Sequence, residues 1–149
     1  ASLNFRPVEA LVSQADERLR EAEGHGLERL AASLYEERSR RGLGDFSLTS
    51  HVRGWWDRND TEIDLVALDE TSEVIRLGTC KRAADKLLAG LGTFDGHVER
   101  FLDALPRYRG WRVERVAIAP IIAPEQATRI RAAGYLPQDL HALTEGLRP

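Results

Sequence analysis

Four residues stand out for what their types and spacing could do together: Glu62, Asp64, Thr79 and Lys81. In an extended chain, side chains two apart share a face. Glu62 and Asp64 then point one way, while Ile63 and Leu65 point the other. The same alternation puts Thr79 with Lys81 and turns Cys80 to the opposite side. If the two stretches are neighbours in one sheet, all four polar residues meet on one surface. Carboxylates hold Mg²⁺ through oxygen, a cation so held polarises a phosphate and lowers the pKa of a bound water, and a lysine offsets developing negative charge. Such a set suits phosphodiester cleavage. An Asp and a Lys at strand ends are more often solvated residues flanking turns, so spacing alone does not make the reading specific.

The surrounding pattern supplies elements to position these residues. Val8, Leu11, Val12, Ala15 and Leu19 recur at helical spacing, as do Leu27, Leu30, Ala31, Leu34 and Tyr35, with a break expected at Gly24-His25-Gly26 and a stop at Gly42 and Gly44. The period then changes to that of strands: Ser50–Trp56, Glu62–Leu68 and Glu73–Lys81, joined by the turns Asp57–Asp60 and Asp69–Ser72. Two short turns joining three strands imply an antiparallel meander. Ala83–Leu105 is helical again, with Leu87, Leu88, Leu91, Val98, Phe101, Leu102 and Leu105 apolar and with interruptions expected at Gly90, Gly92 and Gly96. Arg112–Ala119 is a strand ended by Pro120, and Pro124–Ala133 is a helix with proline at its start and Gly134 at its end. Tyr135–Leu143 reads as a weak last strand or a loop. The order α-β-β-β-α-β-α indicates an α/β fold, a mixed central sheet flanked by helices.

A length of 149 residues favours one domain spanning 1–149. No apolar run approaches the ~18 residues of a membrane span, and no signal peptide opens the chain. The single cysteine, Cys80, fits a reducing cytoplasmic setting. A net charge of −3 means that any nucleic-acid contact must be a local basic patch. The start at Ala1 and the lack of methionine suggest a piece of a longer protein.

Other candidates carry less. Trp55 and Trp56 point to opposite faces, which sends one to the core and leaves the other to stack on a base or cover the edge of a site. His25, His51, His97 and His141 lack the spacing of a zinc site. Cys80 reads as a small buried residue and not as a nucleophile. Neither a nucleophile elbow nor a Walker A loop is present, so any ATPase site lies outside this chain. The basic groups around Arg53, Arg58 and Lys81-Arg82 would border the proposed site, where phosphates would lie.

The wording around these residues is more specific. Gly54-Trp55-Trp56-Asp57, Glu62-Ile63-Asp64-Leu65-Val66-Ala67 and Gly78-Thr79-Cys80-Lys81 together resemble an uncharacterised domain found at the C-terminus of archaeal-type P-loop ATPases, within the PD-(D/E)xK nuclease-like superfamily. The resemblance covers roughly residues 20–120. It implies a restriction-endonuclease-like core, a P-loop ATPase domain in the same parent chain, DNA as partner and Mg²⁺ or Mn²⁺ as cofactor. It also implies Asp64 as a metal ligand and Lys81 at the attacked phosphate, with the Cys80 carbonyl as a further ligand. On the residues themselves, Glu62, on the same strand face as Asp64, and Glu28, if the first helix packs across the site, would assist the metal, and Arg53, Arg58, Arg82, Trp55 and Trp56 are the candidate DNA contacts. A helical glutamate is expected in a Gly-x-x-Phe-Glu-like setting, for which Gly26-Leu27-Glu28 is the nearest match, with Glu36 and Glu37 further along. The pattern is broken at Thr79, where the resemblance implies Glu. Threonine supplies no anionic ligand, so the expected alternative to a nuclease is an inactive DNA-binding, docking or dimerisation module, the last implying a homo-oligomer. On the nuclease reading, Thr79→Glu is expected to enhance cleavage.

Overall fold

The computed structural model describes residues 25–147. The stripe from Val8 to Leu19, Gly24 and the His25 side chain lie outside the described residues. Along the chain come α1 (His25–Arg40), β1 (Arg53–Trp56), β2 (Glu62–Asp69), β3 (Val74–Cys80), α2 (Ala84–Ala104), a 3₁₀ turn (Pro106–Gly110), β4 (Arg112–Ile118), α3 (Pro124–Ala132), β5 (Tyr135–Gln138) and α4 (Leu140–Thr144). The expected order holds, and the weak tail becomes an edge strand followed by one helical turn. No helix among the described residues is long and apolar enough to cross a membrane.

The strands form one mixed sheet in the order β1-β2-β3-β4-β5. β1, β2 and β3 pair antiparallel as a meander, whereas β3 with β4 and β4 with β5 pair parallel across the connections containing α2 and α3. Apolar residues cover both faces. On one side Leu27, Leu30, Ala31 and Leu34 of α1 pack with Leu65, Ala67, Cys80, Val116, Ile118 and Leu143. On the other, Leu87, Leu91, Phe94, Val98, Phe101 and Leu102 of α2 pack with Ile63, Val66, Ile75, Leu77, Ala117 and Ile130. β3 is therefore covered on both faces, and its side chains from Ile75 to Cys80 are buried. Gly78 is needed there: a Cβ at this position would come within 3.1 Å of the Leu65 Cβ. α1 ends where expected, since Gly42 takes a left-handed φ of 69° that disfavours other residues.

Two expectations fail. Gly90, Gly92 and Gly96 do not interrupt the second long helix, because α2 runs unbroken through all three. Each glycine costs about 1 kcal/mol relative to alanine, but the seven buried residues of α2 form a continuous stripe whose burial outweighs that cost. The second concerns the alternation in β2. Arg53 pairs with Val66 and Trp55 with Ile63, so β2 advances three residues where β1 advances two. This extra residue is a β-bulge opposite Gly54. Beyond it, Ile63 faces α2 while Leu65 faces α1, although the two are only two residues apart.

Candidate functional site

The bulge lies in the short segment of β2 that contains Asp64. Glu62 and Asp64 lie toward the start of β2, on the side where α1 packs, and the first turns of α1 bring Glu28 to meet them. One oxygen from each of Glu28, Glu62 and Asp64 lies within 4.8 Å of the others. With Cys80, Lys81, Arg82 and Lys86 they line a pocket of about 270 Å³. β3 delivers Lys81 at its end, where the Lys81 backbone N–H donates to the Ile118 carbonyl at 3.0 Å. α2 begins at Ala84, so its first turn places Lys86 beside the same pocket.

Asp64 is anchored across the strand pair: the Cys80 backbone N–H donates to Asp64 Oδ2 at 2.8 Å. Burial pushes the Asp64 carboxyl up and Glu62 adds to the rise, while the Cys80 N–H, Lys81 and Glu28 pull it back. Glu28 shares a hydrogen bond with Asp64, and its carboxyl is pushed up to about 7, first by burial and then by the charges of Asp64 and Glu62, against Lys81. Near neutral pH this cluster therefore holds a proton that a more exposed glutamate would have released. The Cys80 thiol is driven up by burial and by the neighbouring acids, which keeps it protonated and inert.

Glu62, Asp64, Lys81 and Glu28 come together, as sequence reasoning expected; Thr79 does not. It is buried, pairs with Ala117, and by strand alternation faces α2 with Leu77. Leu65 and Cys80, expected opposite the acids, share the α1 side with them. The bulge accounts for Leu65. Cys80 falls there because β3 turns Gly78 and Cys80 toward α1, while Lys81 reaches the pocket from beyond the strand end. Arg53 lies at the far end of β1 and lines a separate pocket with Trp55, Phe101 and Tyr108. Arg58 is exposed in the β1–β2 turn, and Arg82 lines the acid pocket. Trp55 packs edge-on against Phe101 at 5.2 Å, whereas Trp56 is 74% exposed. Glu36 bonds to the Val52 backbone and Glu37 pairs with Arg40 and Arg41, so neither joins the cluster. Larger concavities lie elsewhere, but the acid pocket holds the group of carboxylates close enough to share a cation.

Sequence spacing gave no signal for His97. Its Nδ1 lies 3.0 Å from the Glu62 carbonyl oxygen and 3.3 Å from the Glu62 nitrogen. Arg100, one turn further along α2, donates to Thr61 Oγ1 at 3.3 Å. Both hold the start of β2 in place and thereby position Glu62. Their i, i+3 spacing is visible in the sequence, but the strand they would meet is not.

Among known families, one model matches residues 2–89, more than half of the 149-residue chain. The chain belongs to the DUF234 family, described as archaeal and bacterial proteins of unknown function. The matched DUF234 region contains every residue lining the acid pocket, from Glu28 to Lys86. No curated protein and no solved structure matches the chain.

Proposed function

We propose that the acid pocket of this DUF234 protein is a divalent-cation-dependent site for phosphodiester cleavage in DNA. The observation that carries this reading is the convergence of Glu28 on Glu62 and Asp64. Position 79 lacks the acid that the PD-(D/E)xK pattern implies, and the helix provides a third carboxylate without it. The donor set fits Mg²⁺ or Mn²⁺: burial, and then the charges of Asp64 and Glu62, push Glu28 up to about 7, and three carboxylates so placed gain from an ion that replaces their shared proton. Glu28, Glu62 and Asp64 would hold the cation. When bound, such an ion polarises a phosphate and activates water.

The remaining chemistry belongs to the chain's own side chains. The Lys81 ammonium stands beside the acids to meet charge developing on a phosphate oxygen. Arg82, just before α2, and Lys86, in its first turn, extend that positive edge, giving the acidic protein a local surface for a phosphate backbone. The tryptophan-pair, acid-Ile-Asp and Gly-Thr-Cys-Lys wording supports PD-(D/E)xK ancestry and a P-loop ATPase domain in the parent protein.

The test is nicking of supercoiled plasmid with Mg²⁺ or Mn²⁺ by wild type and Asp64→Ala. Cleavage by wild type alone is expected. Equal behaviour of the two would sink the reading. DNA binding without nicking would assign the pocket to a binding or docking module instead.

A further inference from the structure

The two large hydrophobic side chains most exposed among the described residues are Trp56, at 74%, and Ile121, at 80%. They share a location. β1 and β3 run in the same direction, as do β3 and β4, so the ends of all three point to one end of the sheet. Trp56 ends β1, Lys81 follows β3, Ile121 lies three residues past the end of β4, and the antiparallel β2 starts at the same end with Glu62. Across this end the strands present an aromatic ring, then carboxylates, then cations, then an aliphatic side chain.

Trp56 is bound most directly into this arrangement. Trp55 faces Phe101 of α2, so Trp56, the next residue of the strand, faces the α1 side. Its partner in the β1–β2 register is Glu62, and paired residues share a face with Cβ atoms about 5 Å apart. The ring thus lies beside the carboxylate pocket and exposes most of its surface to solvent. Lys81, directly after β3, stands about two strand spacings away, roughly 10 Å, and Arg82 and Lys86 line the pocket with it. A ligand spanning these features needs a flat apolar face joined to an anionic backbone. A nucleotide strand has both, but a closed duplex keeps its base faces stacked inside and offers only phosphates and groove edges.

We propose that Trp56 is a base-stacking platform that makes the acid pocket select unpaired DNA over closed duplex. The selectivity of cleavage rests on the phosphodiesterase reading above; the selectivity of binding does not. The ring holds one base, which draws the adjoining phosphate toward Lys81 and the acids. A frayed end, flap or single strand satisfies this geometry, and a blunt hairpin does not.

The test uses the full chain at low salt with a chelator present, so that no strand is cut. Fluorescence anisotropy compares a labelled oligodeoxythymidine with a hairpin-closed duplex. Trp56→Ala is expected to weaken single-strand binding by roughly 5- to 150-fold, the range typical of one lost base stack, and to change duplex binding less than about twofold. Trp56→Phe should restore most of the single-strand affinity, which a purely structural role for the indole would not produce. Equal single-strand affinity in wild type and Trp56→Ala, equal loss on both ligands, or no binding of either oligonucleotide overturns the proposal. Plasmid nicking by Asp64→Ala is scored separately, so stacking can stand where cleavage fails.

Discussion

The Cys80 backbone N–H donates to Asp64 Oδ2 at 2.8 Å, tying the carboxylate at the β2 bulge to the last residue of β3. This one contact gives Asp64 a structural role beside its proposed chemical one, and substitutions can separate the two. Asp64→Asn keeps an oxygen to accept from Cys80, whereas Asp64→Ala leaves that N–H without its partner in a buried setting, at a cost of about 1–3 kcal/mol. Both variants should lose cation-dependent nicking, but Asp64→Ala should also unfold at lower urea. Equal urea midpoints would show that the hydrogen bond contributes nothing to stability.

Glu28 makes stability depend on pH in a direction opposite to that of an ion-paired acid. Its carboxyl rises from 4.5 to about 7 on folding, chiefly through burial and then through Asp64 and Glu62. Between those two values the folded chain binds more protons than the unfolded chain, so stability falls as pH rises through the window. Asp64, also raised mainly by burial, adds to the same trend above 3.8. Asp45 is lowered by Arg76, so its opposing contribution is lost only as pH falls below 3.8, outside the window. Urea midpoints without metal should therefore be higher at pH 5 than at pH 8, and Glu28→Gln should flatten the difference. Mg²⁺ should restore stability at pH 8 in wild type but not in Glu28→Gln. A wild-type midpoint that rises between pH 5 and pH 8 would contradict the assignment.

Thr79→Glu, expected from the family pattern to improve the site, should do the reverse. The Thr79 side chain is 7% exposed and shares the α2 side with Leu77 and Ala117. A glutamate there has no cation among these apolar neighbours and must be buried charged, protonated or displaced, and breaking the packing should cost about 3 kcal/mol or more. Nicking should not rise above wild type. A gain in activity with unchanged stability would mean that the side chain at 79 reaches the acid pocket.

The sequence carried the element order because long stripes such as Leu87–Leu102 and the compact turns at Asp57 and Asp69 act locally. Glu62, Asp64 and Lys81 were legible as a group for the same reason, each lying at or near a strand end. What escaped depends on contacts distant in sequence. The bulge opposite Gly54 reverses the side of Leu65, and nothing in the run Ile63-Asp64-Leu65 marks it, since a bulge is a property of a strand pair. His97 meets Glu62 from 35 residues away. Arg53 was grouped with the site by charge, but it starts the strand that Trp56 ends.

The glycines of α2 offer a separate check on how the fold tolerates poor helix formers. A Cβ at Gly92 or Gly96 meets nothing within 4 Å, and both residues are exposed. Gly92→Ala and Gly96→Ala should each raise stability by about 0.5–1 kcal/mol, mainly by narrowing the unfolded ensemble. Gly78→Ala should lower it, because its Cβ would press on the Leu65 Cβ across the β2–β3 pair. Thermal melts of the three variants would order them, and a stabilised Gly78→Ala would show that the sheet has slack at Leu65.

Arg76 links the acid-bearing helix to the sheet at the end remote from Glu28. The side chain is buried on β3, where its guanidinium bonds to both oxygens of Asp45 at 2.7 and 3.2 Å, to Glu114 at 2.9 Å and to the Tyr35 hydroxyl at 3.3 Å. It also lies 4.8 Å from the centre of the Phe46 ring. Tyr35 belongs to α1 and donates in turn to Gln138 of β5, so the network fastens α1 across the parallel half of the sheet. Arg76→Ala removes the common donor of Asp45, Glu114 and Tyr35, but Asp45 is exposed, Glu114 keeps Arg112 and Tyr35 keeps Gln138, so the loss should be about 1–3 kcal/mol. Arg76→Lys keeps the charge but cannot reproduce the planar fork, so it should recover only part of that loss. Because α1 carries Glu28, loosening its C-terminal half should also weaken Mg²⁺ binding measured by calorimetry, although no substituted atom touches the pocket. If both variants lost stability while metal affinity stayed at the wild-type value, α1 would be held at Glu28 by its own apolar contacts, Leu27 and Leu30 on the sheet, and the network would serve the fold alone.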